Sequence, residues 1–176
     1  MDVPVIEFKK ILYAADLSES GRSAFNYAAS LTNRYNAELS VIHIVEESPE
    51  LLKNLSSYMS EEFWEQIKNR DLQDAREILF ARKRDNAAIR DCVGQYCEEI
   101  LPATSGEPYV TYQVIVKAGN PVECIINEAT AGNFDLIVMG RHGHGTLKDS
   151  MMGDTARRVL RRANIPTLLV PLPDYD

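Results

Sequence analysis

Lys10-Ile11-Leu12-Tyr13-Ala14-Ala15-Asp16 and, further on, Leu39-Ser40-Val41-Ile42-His43-Ile44-Val45 set the architecture of this chain. Both runs are short and apolar at odd and even positions alike, the pattern of strands covered on both faces. Between them Ala24, Tyr27, Ala28, Leu31 and Tyr35 recur at helical spacing. Ser18 or Ser20 offers an N-cap for that helix, and Asn36 a stop. Strand, helix and strand within 36 residues make one βαβ unit, whose two strands run parallel.

The far end repeats the pattern. Tyr109 to Val116 is rich in β-formers, and Gly119-Asn120-Pro121 turns it into a helix with proline in its first turn. That helix is expected to bury Val122, Ile125, Ile126 and Ala129 and to end at Gly132-Asn133 in a left-handed cap. Asp135 to Met139 reads as a central strand, about Thr155 to Ala163 as a helix, and Pro166 to Val170 as a last strand. The alternation predicts an α/β fold, a three-layer, doubly wound sheet of five parallel strands.

The middle exceeds the pattern. Between Val45 and Tyr109 lie 63 residues, about twice what one crossover helix needs. Ile89, Val93, Tyr96, Cys97 and Ile100 have the spacing of the helix that covers the sheet. Residues 49–84 read as a helical insertion between strands two and three, inside a single domain spanning 1–176.

Composition narrows the function classes. The chain has 176 residues, 45% of them hydrophobic, and a net charge of −7, enough to build a core without disulfide staples. Cys92, Cys97 and Cys124 cannot all pair and form no C-x-x-C, which points to a reducing compartment and to packing roles. With no signal-peptide pattern and no apolar run near 20 residues, the expectation is a cytoplasmic protein without a membrane role. Overall acidity argues against nucleic acid as a partner. The charge is uneven, however: residues 140–163 hold six Arg or Lys against two Asp.

Ligands of open α/β sheets bind beyond the carboxyl ends of the strands. Three such ends are chemically marked: Asp16, His43 to Glu46, and the loop from Gly140 to Thr155. That loop is glycine-rich and runs into a helix N-terminus, a combination suited to an anion or nucleotide. It is no P-loop, because Thr146-Leu147 stands where Lys-Ser/Thr is required. Nor is it a dinucleotide fingerprint, since Lys148 replaces the third glycine.

The combination resembles the universal stress protein family. Lys10 to Asp16 is similar to its first strand, His43-Ile44-Val45 to its second, Asp135 to Gly140 to its fourth, and Arg157 to Val170 to its last helix and strand. Gly140, Gly143 and Gly153 match the G-x2-G-x9-G-[S/T] motif of the ATP-binding members, except that Asp154 replaces the Ser/Thr. The resemblance implies an adenine nucleotide alpha hydrolase-like fold and a site for ATP, or for AMP or ADP, with or without Mg²⁺. By it, Asp16 and the backbone of Ile44 bracket the adenine, with Ala14 lining the wall. Met139 and Gly140 meet the ribose. Gly143, Gly153, Asp154 and Thr155 meet the phosphates, with His144, His142 or Lys148 as compensating charge. The family also implies a homodimer through Pro166 to Val170.

Plainer readings stand beside these. Asp16 could cap the following helix, His43 could be packed in the sheet, and the arginines at 157, 158, 161 and 162 could form a solvated face. Two histidines at i, i+2 are a weak metal signal. Three function classes follow: a nucleotide-binding regulatory or stress-response protein, the same fold without nucleotide as a dimeric interaction module, and a weak nucleotide hydrolase. No G-x-S-x-G, H-E-x-x-H or Walker lysine supports catalysis.

Overall fold

The computed structural model describes residues 5–45, 87–101, 110–143 and 152–171, and of Glu19, Ser20 and Ala88 the backbone alone. The expected 49–84 insertion, His144 and the start of the third strand at Tyr109 lie outside the described residues. In chain order the elements are β1 (Lys10–Ala15), α1 (Glu19–Tyr35), β2 (Glu38–Val45), α2 (Ala87–Ile100), β3 (Tyr112–Ala118), α3 (Pro121–Ala131), β4 (Leu136–Gly140), α4 (Asp154–Arg162) and β5 (Thr167–Val170). All strand pairs are parallel, in the order β3-β2-β1-β4-β5. The winding therefore reverses between β1 and β4, which opens a crevice beyond their carboxyl ends.

Because side chains alternate across a strand, β1 feeds two cores. Ile11, Tyr13 and Ala15 join α1 and α2 on one face, through Ala24, Phe25, Ala28, Val93 and Cys97. Leu12 and Ala14 join α3 and α4 on the other, through Val122, Ile125, Ala129, Ala156 and Val159. These are the three expected layers.

Several local expectations are corrected. The buried stripe of α1 uses Phe25 and leaves Tyr27 and Tyr35 exposed, because the apolar arc facing the sheet is rotated toward Ala24, Phe25 and Ala28. β3 starts later and runs on to Ala118, since its register against β2 pairs Lys117 with Ile44 and Ala118 with Val45. In the turn after α3 the left-handed residue is Asn133 (φ 52°), while Gly132 is right-handed. β4 starts at Leu136: Asp135 instead accepts hydrogen bonds from the N–H groups of Lys9 and Lys10 and pins the entry to β1. β5 starts at Thr167, for Pro166 has no N–H to donate, although its carbonyl accepts from Ile137. Of the cysteines only Cys97 is fully buried as a core filler; Cys92 and Cys124 are half-exposed.

Candidate functional site

The first rim of the crevice is the turn from β1 into α1. Ala14 sits between Ile42 and Met139, and Ala15 pairs with His43, so Asp16 and Ile44 are the next residues on their two strands. Leu17 then adopts φ 60°, a left-handed conformation that costs a non-glycine residue about 1–2 kcal/mol. What holds it is a relay. Ser18 N–H and Ser18 Oγ both donate to Asp16 Oδ1, at 3.0 and 2.6 Å, and Ser18 Oγ accepts from Gly21 N–H at 3.1 Å. Ser18 is therefore the N-cap of α1, and Asp16 orients the cap rather than capping the helix itself. Leu17 also packs against the core, which helps to offset the strain.

Two tyrosines lie beneath this turn. Tyr13 donates its hydroxyl to the Gly21 carbonyl and Tyr96 to that of Ser18, each at 2.8 Å. Gly21 is bare where they meet: a Cβ there would lie 2.7 Å from the Tyr96 hydroxyl, 2.8 Å from Asp16 Oδ1 and 3.1 Å from the Tyr13 hydroxyl. From sequence Tyr13 and Tyr96 read only as strand and helix positions, and Gly21 was not singled out. The available signal was a glycine in the first turn of a helix, a costly choice unless something approaches closely.

The second rim is the exit of β4. Met139 is buried opposite Ala14, and Gly140 pairs with Val170. Arg141 N–H donates to the Val170 carbonyl at 2.7 Å, and the Arg141 carbonyl accepts from Gly153 N–H at 2.9 Å. The end of β5, the loop and the start of α4 are thus tied together through backbone. A Cβ on Gly153 would stand 3.4 Å from the Arg141 oxygen and 3.7 Å from Gly143 N, and one on Gly143 would stand 3.0 Å from Asp16 Oδ2. Asp16, Gly143 and Gly153 therefore converge, the two rims closing on each other at glycines. Arg141 precedes His142, which is buried.

At the first position of α4, Asp154 is largely exposed and its carboxylate meets Arg157 at 2.6 Å and Arg158 at 3.5 Å. Its hydrogen bond with Arg157, then the charges of Arg157 and Arg158, hold its pKa below the usual aspartate value. Gly153 is the N-cap of α4 and, being glycine, makes no side-chain cap hydrogen bond. Thr155, one position later, is half-buried. The arginine face of α4 is exposed as expected, but it is also paired, since Arg162 holds Glu123 of α3.

His43 is buried, with Nδ1 2.8 Å from the Ala15 carbonyl, so its ring joins the ends of β1 and β2. Ile44 is half-buried at the penultimate position of β2. Among the described residues no three His, Cys, Asp or Glu side chains gather as metal ligands, and no helix is long and apolar enough to cross a membrane.

A model described as "Universal stress protein family" matches residues 7–171. A universal stress protein of Bacillus subtilis is 28% identical over 165 residues, covering 93% of this chain and 99% of that protein. Among solved structures, the universal stress protein UspA from Lactobacillus plantarum superposes with a TM-score of 0.65 at 22% identity, over 94% of this chain and 99% of that one. A universal stress protein in complex with cAMP superposes with a TM-score of 0.57 at 16% identity, over 95% and 99% of the two chains.

Proposed function

This chain belongs to the universal stress protein family, and we propose that it binds an adenine nucleotide in the crevice between β1 and β4 and acts as a homodimeric, cytoplasmic regulatory protein. The observation that carries the reading is the convergence of Asp16 with Gly143, and of Gly143 with Gly153, at the point where the sheet reverses. The cAMP complex of a structural relative supports a nucleotide as the class of ligand.

The residues present fit such a ligand. Asp16 offers a carboxylate acceptor for the exocyclic amine of adenine, beside the Ile44 backbone and the small wall of Ala14. Met139 and Gly140 stand where a ribose would follow. Gly143, with no side chain, leaves room for a phosphate to reach backbone, and Thr155 supplies a hydroxyl one position after Asp154. Gly153 acts differently from a phosphate donor: its N–H is already given to Arg141, so its part is to let α4 sit close to the loop. The ligand is ATP, ADP or AMP, alone or as its Mg²⁺ complex. His144, which follows Gly143 in the sequence and lies outside the described residues, stays with His142 and Lys148 as a candidate for compensating charge. The dimer forms through Pro166 to Val170, because β5 is apolar and, among the described residues, is an edge strand paired only with β4.

A second reading, the same dimer as an interaction module without nucleotide, is favoured by Asp154. Its carboxylate stands where the motif carries a hydroxyl, and like charge opposes a triphosphate. Identifying the nucleotide released on denaturing the purified protein, with calorimetry for ATP and AMP, separates the two. Co-purified adenine nucleotide and saturable binding are expected; binding of neither leaves the module reading. A monomeric mass in sedimentation at high micromolar concentration overturns the dimer.

A further inference from the structure

The Asp16 turn is gripped from below by a residue of a different element, at a distance in sequence that the site motif does not reach. Tyr96 lies on α2, 78 residues beyond Ser18, and is buried with only 8% of its surface exposed. We propose that Tyr96 is a positioning residue for the nucleotide site: by holding the Ser18 carbonyl, it fixes the Asp16 carboxylate against Gly143 and so sets affinity and base preference. The inference rests on the adenine-nucleotide reading above.

The geometry forms a short chain. Tyr96 holds Ser18 at its carbonyl, while Asp16 Oδ1 holds the same residue at its N–H and Oγ. The Ser18 carbonyl also accepts from Arg22 N–H, but at 3.3 Å, so the tyrosine is its closer partner. Gly21 sits between the two ends of the chain, with the tyrosine hydroxyl and Asp16 Oδ1 both within 3 Å of where its Cβ would be. Both ends of the chain therefore border the same small space above Gly21. Tyr96 is itself locked: Arg22 lies 5.1 Å from the centre of its ring and pairs with Glu99 of α2 at 3.1 Å. Burial raises the Tyr96 and Tyr13 phenols above their ordinary value, so each keeps the one hydrogen it gives to a carbonyl.

A merely structural tyrosine would lower stability and leave the ligand preference of the folded molecules alone. A positioning tyrosine acts through Asp16. Calorimetry with ATP and GTP on the native chain, Tyr96→Phe, Asp16→Ala and the double variant distinguishes them. Tyr96→Phe is expected to weaken ATP binding about fivefold, the loss of one neutral hydrogen bond, and to narrow the ATP-to-GTP ratio. In the Asp16→Ala background it should change neither. An undiminished effect in that background, or none in the native one, overturns the proposal.

Binding of no adenine nucleotide by the native chain overturns the ligand reading separately. The positioning claim then falls or stands on the Asp16 carboxyl ¹³C resonance, expected to shift in Tyr96→Phe; an unmoved resonance overturns it. Should Tyr96→Phe not fold, exchange of the Tyr96 hydroxyl proton in the native chain takes its place. Exchange is expected to be severalfold faster in Asp16→Asn than in the native chain, and equal rates overturn the coupling.

Discussion

The two rims of the crevice are built in opposite ways. The β1 rim is held by buried side chains from three elements: Tyr13 of β1, Ser18 at the start of α1, and Tyr96 of α2. The α4 rim is held by backbone, through Arg141 to Val170 and Gly153, and carries its charge on exposed side chains at Asp154, Arg157 and Arg158. A buried hydrogen bond between neutral groups is insensitive to salt, whereas an exposed ion pair is weak and screened. The first rim is thus suited to fixing the orientation of a flat base, and the second to adjusting to however many phosphates arrive.

The largest expected effect is on the β1 rim in alkali. Burial raises Tyr13, Tyr96 and Cys97, the last from 9.0 to about 12. An acid whose folded pKa lies above its unfolded value stabilises fully below the unfolded value, and that contribution is lost as pH rises toward the folded one. The loss should therefore begin near pH 9 to 10, at up to about 1.4 kcal/mol per pH unit for each phenol. Urea unfolding followed from pH 8 to 11 measures it. Tyr96→Phe should make the decline shallower; the same slope would show that its phenol is not what buries.

Gly21→Ala comes next. Alanine normally gains about 1 kcal/mol over glycine inside a helix. Here its Cβ would meet three polar atoms within 3.1 Å, and overpacking of that kind costs about 1–3 kcal/mol. The net expectation is a loss of about 1 kcal/mol, or about 3 °C in Tm, together with weakened ATP binding. A stabilised variant would mean that the turn yields easily. Gly143→Ala tests the junction between the rims. Its Cβ would meet Asp16 Oδ2 at 3.0 Å, so ATP affinity should fall about tenfold with stability changed by under about 0.5 kcal/mol. Equal losses in both quantities would place Gly143 with the buried rim.

The contrast also explains what the sequence made legible. Strand runs such as Ile11 to Ala15 and Ile137 to Met139 are apolar on both faces, and that pattern is local, so the parallel sheet and its winding could be read directly. Asp16 was marked by its place at a strand end, and Gly143 and Gly153 by the motif of the family resemblance; the structure brings these three residues close together. The grip of Tyr96 on Ser18 was not legible, since it joins residues 78 apart and depends on how α2 lies on α1. Nor was the pairing of Asp154 with Arg157 and Arg158: helical i, i+3 and i, i+4 spacing was present, but the arginines read equally well as a solvated face.

That pairing sets the smallest expected effect, on the α4 rim. Asp154 is largely exposed and its pKa is lowered by Arg157 and Arg158, so it stabilises the fold above the ordinary aspartate value of 3.8 and ceases to as pH falls through the depressed one. Asp154→Ser should accordingly leave thermal stability at pH 7 nearly unchanged and alter only the acid limb below about pH 4. Its consequence belongs to binding. Removing the carboxylate frees both arginines and adds a hydroxyl, so ATP should gain severalfold over AMP in calorimetry at low salt, and the gain should shrink as ionic strength shortens the screening length. An ATP-to-AMP ratio indifferent to both the substitution and salt would mean that the Asp154 carboxylate does not face the phosphates. The α4 rim would then be, like the β1 rim, a fixed part of the scaffold rather than its adjustable side.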